Sequence, residues 1–231
     1  MPNALIVGAS RGIGLEFARQ YQALGWNVIA ACRDPAAAEA LNGFATGASP
    51  KIRVVQLDVT DKAAIESLAA QMRGHTIDLL LFSAGITGPR DYTMTDFDEQ
   101  AWIEVMRTNA MAPLRVAGNF VGHVQASERK LMAFVSSRRG SMAENTWGGH
   151  YLYGSSKAAL NCVVKSMAIE LHPKGVACIA LTPGWVRTDM GGAQAPLSAE
   201  TSVRGMIAVL ERSGPEQSGR FIQYDGKEIP W

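Results

Sequence analysis

Short apolar runs of strand length recur along the chain, each followed by a segment whose apolar residues repeat with helical spacing, and nothing else in the sequence limits the fold as strongly. The runs are ALIVG (4–8), NVIAA (27–31), IRVVQL (52–57), IDLLLFS (77–83), LMAFVSS (131–137) and VACIALT (176–182). They are apolar almost throughout rather than at alternate positions, so both faces of each strand must be covered. Doubly covered strands joined by helices form a parallel sheet with helices on each side. The predicted architecture is a single α/β domain over residues 1–231, with a doubly wound parallel sheet of about seven strands and helices on both faces. The intervening helices are expected to start near Gly12, Pro35, Asp61, Phe97, Tyr151 and Ser198. In VTDKAAIESLAAQM, Thr60 or Asp61 offers the N-cap and Ile65, Leu68 and Met72 form the apolar stripe.

Charge and cysteine usage narrow the possible partners. Lys and Arg total 22 against 21 Asp and Glu, scattered along the chain, which argues against nucleic acid or a membrane surface and for a small, weakly charged substrate. Cys32, Cys162 and Cys178 are odd in number, lie in apolar surroundings and contain no C-x-x-C pair, so neither a disulfide framework nor a metal site is expected. The N-terminus enters an apolar strand without the pattern of a secretion signal, and no apolar run approaches the roughly 20 residues that span a bilayer. A cytoplasmic protein is the expectation.

An open parallel sheet binds ligands beyond the carboxyl ends of its strands, and several unusual stretches fall there. After the first strand comes GASRGIG, with Gly8, Gly12 and Gly14. A turn of this kind between a strand and its helix lets backbone approach a pyrophosphate and aims helix N–H groups at its charge. The second strand ends AACRD, about 20 residues on, where an acidic residue would bind a ribose 2'-hydroxyl and a basic one a 2'-phosphate. With Cys32 in that position, Arg33 and Arg11 can converge on a phosphate, which favours NADP(H) over NAD(H). A register one residue later places Asp34 there and reverses the preference. Two Gly-rich loops, 138–150 and 183–197, follow later strands. They carry Met142, Trp147, Trp185 and Met190, pointing to an apolar or aromatic ligand. His150 is read as an ordinary loop residue.

The stretch YLYGSSK (151–157) holds two tyrosines and a lysine. On a helix, Tyr153 and Lys157 are four residues apart and share a face, whereas Tyr151 falls about 240° around the helix from Lys157. Tyr151 is left near the substrate entrance. An ammonium beside a phenol stabilises the phenolate and lowers its pKa, which suits Tyr153 to act as a general acid. Asn109 lies in the long helical stretch FDEQAWIEVMRTNAMAPLRVAGNF, and Pro113, four residues later, has no N–H for the Asn109 carbonyl. That carbonyl is free to hold a water.

The glycine turn at 8–14, Asn109, the serines at 136 and 137, Y-x-x-x-K at 153–157 and PGWVRTD at 183–189 occur in the order of the short-chain dehydrogenase/reductase family, which the whole chain resembles. The resemblance implies a Rossmann-like domain and a catalytic tetrad of Asn109, Ser137, Tyr153 and Lys157. It implies cofactor contacts from Gly8, Ser10, Arg11, Gly12, Ile13 and Gly14, from Arg33, from Asp58 and Val59 near the adenine, and from Ser83, Ala84 and Gly85. Tyr153 and Lys157 are implied at the nicotinamide ribose, and Pro183, Gly184, Val186 and Thr188 at its amide. Ser83 departs from the usual Asn of an N-A-G motif. The catalytic serine usually stands about thirteen residues before the tyrosine, but Gly140 is there; Ser137 is taken, with Ser136 and Ser141 as alternatives. Ser137 stands sixteen residues before Tyr153, which makes the loop between them three residues longer than usual; that loop, with NTWGGHYLY, and the ending GRFIQYDGKEIPW resemble the subgroup of sniffer-type carbonyl reductases and C-factor proteins. The implied activity is NADP(H)-dependent oxidoreduction of a carbonyl or alcohol by a homodimer or homotetramer. The alternative is an NADP(H)-binding regulatory or signalling protein with little turnover, and beyond it a scaffold without a nucleotide site.

Overall fold

The computed structural model describes residues 1–46 and 52–231. Its strands are β1 (Asn3–Val7), β2 (Asn27–Cys32), β3 (Ile52–Gln56), β4 (Leu79–Phe82), β5 (Leu131–Val135), β6 (Ala177–Thr182) and β7 (Phe221–Gln223). All seven join one parallel sheet in the order β3-β2-β1-β4-β5-β6-β7. β1 is central to the switch in winding direction: Leu5 pairs with Ile29 of β2 on one side and with Leu80 of β4 on the other. The helices are α1 (Gly12–Ala23), α2 (Glu39–Ala45), α3 (Lys62–Gln71), α4 (Glu99–Met106), α5 (Ala112–Gln125), α6 (Tyr151–Leu171) and α7 (Ala199–Glu211).

Because side chains alternate along a strand, each apolar run feeds two cores. Leu5, Val7, Leu80, Phe82, Met132 and Phe134 pack on one face with Ile65 of α3, Phe120 of α5 and Val164 of α6. Ala4, Ile6, Leu79, Leu81, Leu131 and Ala133 pack on the other with Phe17 and Tyr21 of α1 and Met206 of α7. This two-sided burial is why the strands read as continuous rather than alternating apolar segments. Among the described residues, no helix is long and apolar enough to cross a membrane.

Two helical expectations are corrected. α2 begins at Glu39 rather than near Pro35, because the Asp34 carboxylate accepts from Ala37 N (3.2 Å) and Asn42 Nδ2 donates to Pro35 O (2.7 Å), holding 34–38 as a turn. The stretch around Asn109 is not one helix: residues Arg107–Met111 form a π-helical turn between α4 and α5, in which Ala112 N donates to Arg107 O. The Pro113 ring and its missing N–H disrupt α-helical bonding at this point, and one extra residue is accommodated in the turn.

Candidate active site

Every strand points its carboxyl end into one cleft of about 1410 Å³. Typical small-ligand pockets hold roughly 300–1,000 Å³, so this cleft has room for a dinucleotide and a second molecule. It lies over the winding reversal between β1 and β4.

At one end lies the glycine turn. Gly8 has φ 89°, and a Cβ there would stand 2.5 Å from Ala84 N; a Cβ on Gly14 would stand 2.1 Å from Gly8 O. Both positions therefore need glycine to bring strand, helix and the β4 loop together. Asp61, Asp98 and Ser198 accept hydrogen bonds from backbone N–H groups at the starts of α3, α4 and α7, but no side chain caps α1. The N-terminal amides of α1 thus present partial positive charge at the floor of the cleft, where Gly8, Ser10, Arg11, Gly12, Ile13 and Gly14 line it. The arrangement fits a pyrophosphate. Cys32 and Arg33 at the end of β2 also line the cleft, whereas Asp34 does not and caps the turn before α2. Arg11 reaches across to Asp189 (3.1 Å) in an exposed ion pair.

Asp58 and Val59 follow β3 on the same wall. Burial pushes the Asp58 carboxyl pKa up, but hydrogen bonds from Thr60 Oγ1 (2.7 Å) and Thr60 N (2.8 Å), with Arg33 and Arg107 nearby, outweigh this and hold it below the ordinary value. Ser83 and Ala84 both donate their backbone N–H to Val7 O, which carries them and Gly85 into the cleft beside the glycine turn. Pro183, Gly184, Val186 and Thr188 line the opposite wall, and a Cβ on Gly12 would stand 3.5 Å from Thr188 Cγ2.

Between these walls sit Ser137, Tyr153 and Lys157. Helical spacing places Tyr153 and Lys157 together on α6, with Lys157 Nζ 5.7 Å from the Tyr153 ring centroid. Lys157 is buried, and Nζ donates to Val135 O at the end of β5 (2.9 Å). Burial without a carboxylate lowers its pKa to about 8. Tyr153 shifts upward, since desolvation outweighs the opposing effects of the Ser137 hydroxyl and the Arg90 guanidinium. This differs from the expectation that Lys157 lowers the phenol: desolvation dominates Tyr153, and no lowering influence of the ammonium is resolved.

The three serines have separate tasks. Ser136 is buried and its hydroxyl donates to Asn161 Oδ1 (2.6 Å); Ser141 is buried and donates to Pro230 O (2.5 Å). Ser137 remains at the cleft, its Oγ accepting from Arg139 N (3.2 Å). Gly140 is glycine because a Cβ there would stand 2.6 Å from the Lys157 carbonyl carbon. A serine side chain at 140 would have no room. Asn109 is fully buried behind the cleft rather than on its surface. Its Nδ2 donates to Ile86 O (2.8 Å) and Ser156 Oγ (2.9 Å), and its Oδ1 accepts from Ile86 N (2.9 Å).

The remaining end of the cleft is lined by Trp147, Trp185 and Met190, but Met142 is exposed and lies outside it. Met142 leaves the site because Ser141 turns inward and binds the Pro230 carbonyl. Tyr151 does line this end, with its ring 6.2 Å from Tyr92. Sequence reasoning missed Arg90, Tyr92 and Arg139. Only the doubled arginine of SSRRGS, next to the serines, offered a signal.

Residues 2–197 match the family model described as short chain dehydrogenase. The C-signal protein of Myxococcus xanthus is 44% identical over 155 residues, 67% of this chain and 93% of that protein. The structure of the carbonyl reductase Sniffer of D. melanogaster superposes with a TM-score of 0.93 at 31% identity, covering 100% of both chains. A carbonyl reductase from Pseudomonas aeruginosa in complex with NADP gives 0.89 at 37% identity, again over 100% of both. With a family match over most of its length, a shared seven-stranded parallel sheet and whole-chain structural relatives, the chain belongs to the short-chain dehydrogenase family of oxidoreductases.

Proposed function

We propose that the protein is an NADP(H)-dependent carbonyl reductase acting on a small apolar or aromatic carbonyl compound, with Tyr153 as general acid/base. The observation that carries this reading is the meeting of Ser137, Tyr153 and Lys157 in the cleft that also contains the uncapped start of α1. The residues of the glycine turn would hold the pyrophosphate, and Arg11 and Arg33 the 2'-phosphate, with Asp34 occupied at its turn. Asp58 and Val59 would flank the adenine; Ser83, Ala84 and Gly85 would run along the cofactor. Lys157 and Tyr153 would meet the nicotinamide ribose, and Pro183, Gly184, Val186 and Thr188 the carboxamide. When bound, the nicotinamide supplies a hydride for the carbonyl carbon. The NADP-bound Pseudomonas relative supports this choice of cofactor.

The Ser137 hydroxyl, which lines the cleft, would donate a hydrogen bond to the carbonyl oxygen. Tyr153 retains its proton at neutral pH because burial holds its pKa high, and that is the form needed to protonate the developing alkoxide. Lys157, with a pKa near 8, can return a proton toward Tyr153. The Asn109 amide is taken up by Ile86 and Ser156, so its part in a proton relay falls to its backbone carbonyl holding a water. A regulator without turnover is the weaker reading, since Ser137, Tyr153 and Lys157 all line the cleft.

Tyr153→Phe tests the reading directly. NADPH-dependent reduction of an aldehyde panel should drop by at least about 100-fold, the range for losing a general acid, while NADPH still raises the melting temperature. Full activity in this variant would refute the assignment.

A further inference from the structure

The substrate end of the cleft carries two guanidiniums that the oxidoreductase chemistry does not use. Arg139 lies two residues beyond Ser137 and donates its backbone N–H to the Ser137 hydroxyl. Arg139 is half-buried, with its guanidinium centre 4.8 Å from the Trp147 ring centroid. Arg90, which is exposed, comes from the loop after β4 and donates from Nη2 to Met190 O (2.7 Å) in the loop after β6, bridging the mouth of the cleft. Among the described residues neither has a carboxylate partner. By contrast, Arg138 pairs with Glu144 (2.7 Å) and Arg11 with Asp189 (3.1 Å), while Arg33 and Lys157, which also lack a carboxylate partner among the described residues, lie at the cofactor positions.

A half-buried, unpaired cation is costly to hold, and a guanidinium stacked on an aromatic face still presents its in-plane N–H donors to a planar, two-oxygen acceptor. We propose that the carbonyl substrate carries a carboxylate, which Arg139, assisted by Arg90, binds while the carbonyl oxygen meets Ser137 and Tyr153. The two arginines act on common ground: after burial itself, Arg139 and then Arg90 hold the His150 imidazole pKa below its ordinary value. Trp147, Tyr151 and Tyr92 supply the flat apolar surface for an aromatic ring between the two polar ends. The scattered, balanced charge of the chain conceals this feature, because it is a local excess of unpaired cations at one end of one cleft.

This inference rests on the reductase reading, and a matched pair of probes separates the two. 4-Carboxybenzaldehyde and methyl 4-formylbenzoate differ in the anion and share the aldehyde. Their kcat/KM with NADPH should favour the acid by at least about tenfold, a difference of about 1.4 kcal/mol and within the range of a hydrogen bond to a charged group. In Arg139→Gln the acid-to-ester ratio should collapse toward one, while Arg73→Gln, which removes the same charge from outside the cleft, should keep the wild-type ratio. Calorimetric titration of both compounds into the NADP-loaded protein gives the same comparison without turnover. Equal handling of acid and ester, or an Arg139→Gln variant that loses NADPH affinity while keeping its acid preference, overturns the carboxylate site. Selective binding of the acid without reduction of either aldehyde upholds that site and defeats the reductase reading alone.

Discussion

Lys157 shows how one side chain links stability to chemistry. Its ammonium is buried and donates to a backbone carbonyl, Val135 O, rather than to a carboxylate, so the folded state disfavours its charge. The sign follows from proton counting: between about pH 8 and the unfolded value of 10.5 the unfolded chain binds more protons, so this residue's contribution to stability rises with pH across that window and is lost as pH falls through 8. Lys157→Met removes the titration. Measured against that variant, wild-type stability should gain up to about 3 kcal/mol between pH 7 and pH 10.5, and a constant difference in melting temperature would show that the lysine is not desolvated. The pairing of Tyr153 with Lys157 was legible from a spacing of four, because a helix fixes which side chains share a face. The choice among Ser136, Ser137 and Ser141 was not, because it depends on Asn161 and Pro230, partners far away in sequence. Arg90 was hidden for the same reason: its partner Met190 lies on another loop.

The π-helical turn at Arg107–Met111 is the element that connects helix geometry to the site. An extra residue in the turn swings Asn109 inward, where its amide ties the β4 loop at Ile86 to α6 at Ser156. Pro113 signalled a disruption in the sequence, but its type depended on where the Asn109 side chain finds partners. Asn109→Ala removes three hydrogen bonds and leaves Ile86 N and O without their protein partner, while Ser156 Oγ keeps its bond to Tyr153 O, so stability should fall by about 2–4 kcal/mol and the melting temperature by roughly 5–10 °C. Because the Asn109 backbone remains, rescue by Asn109→Asp should be incomplete: a carboxylate can accept from Ile86 N but cannot donate to Ile86 O when ionised. A fall of less than 2 °C for the alanine variant would mean that the amide does not tie these elements together. The start of α2 was likewise missed for a local reason, the competition between Asp34 as a turn cap and the alanine-rich stretch as helix.

At the scale of the molecule, the doubly wound sheet was readable because strands buried on both faces leave continuous apolar runs, while β7, only three residues long, was too short to stand out. The cleft follows from the same topology. Its walls are drawn from loops after all seven strands, so a ligand that spans it contacts segments that separate only when the whole sheet comes apart. Binding should therefore be linked to global unfolding rather than to the fraying of one loop. NADPH at about 100 times its dissociation constant should add about 2.7 kcal/mol, raising the melting temperature by roughly 5–10 °C for a chain of this size, with a single cooperative transition. NADH at the same concentration should give a smaller rise, because Arg11 and Arg33 have no 2'-phosphate to bind. Equal shifts would remove the cofactor preference, and a second transition that appears only with NADPH would show that part of the sheet unfolds independently of the cleft.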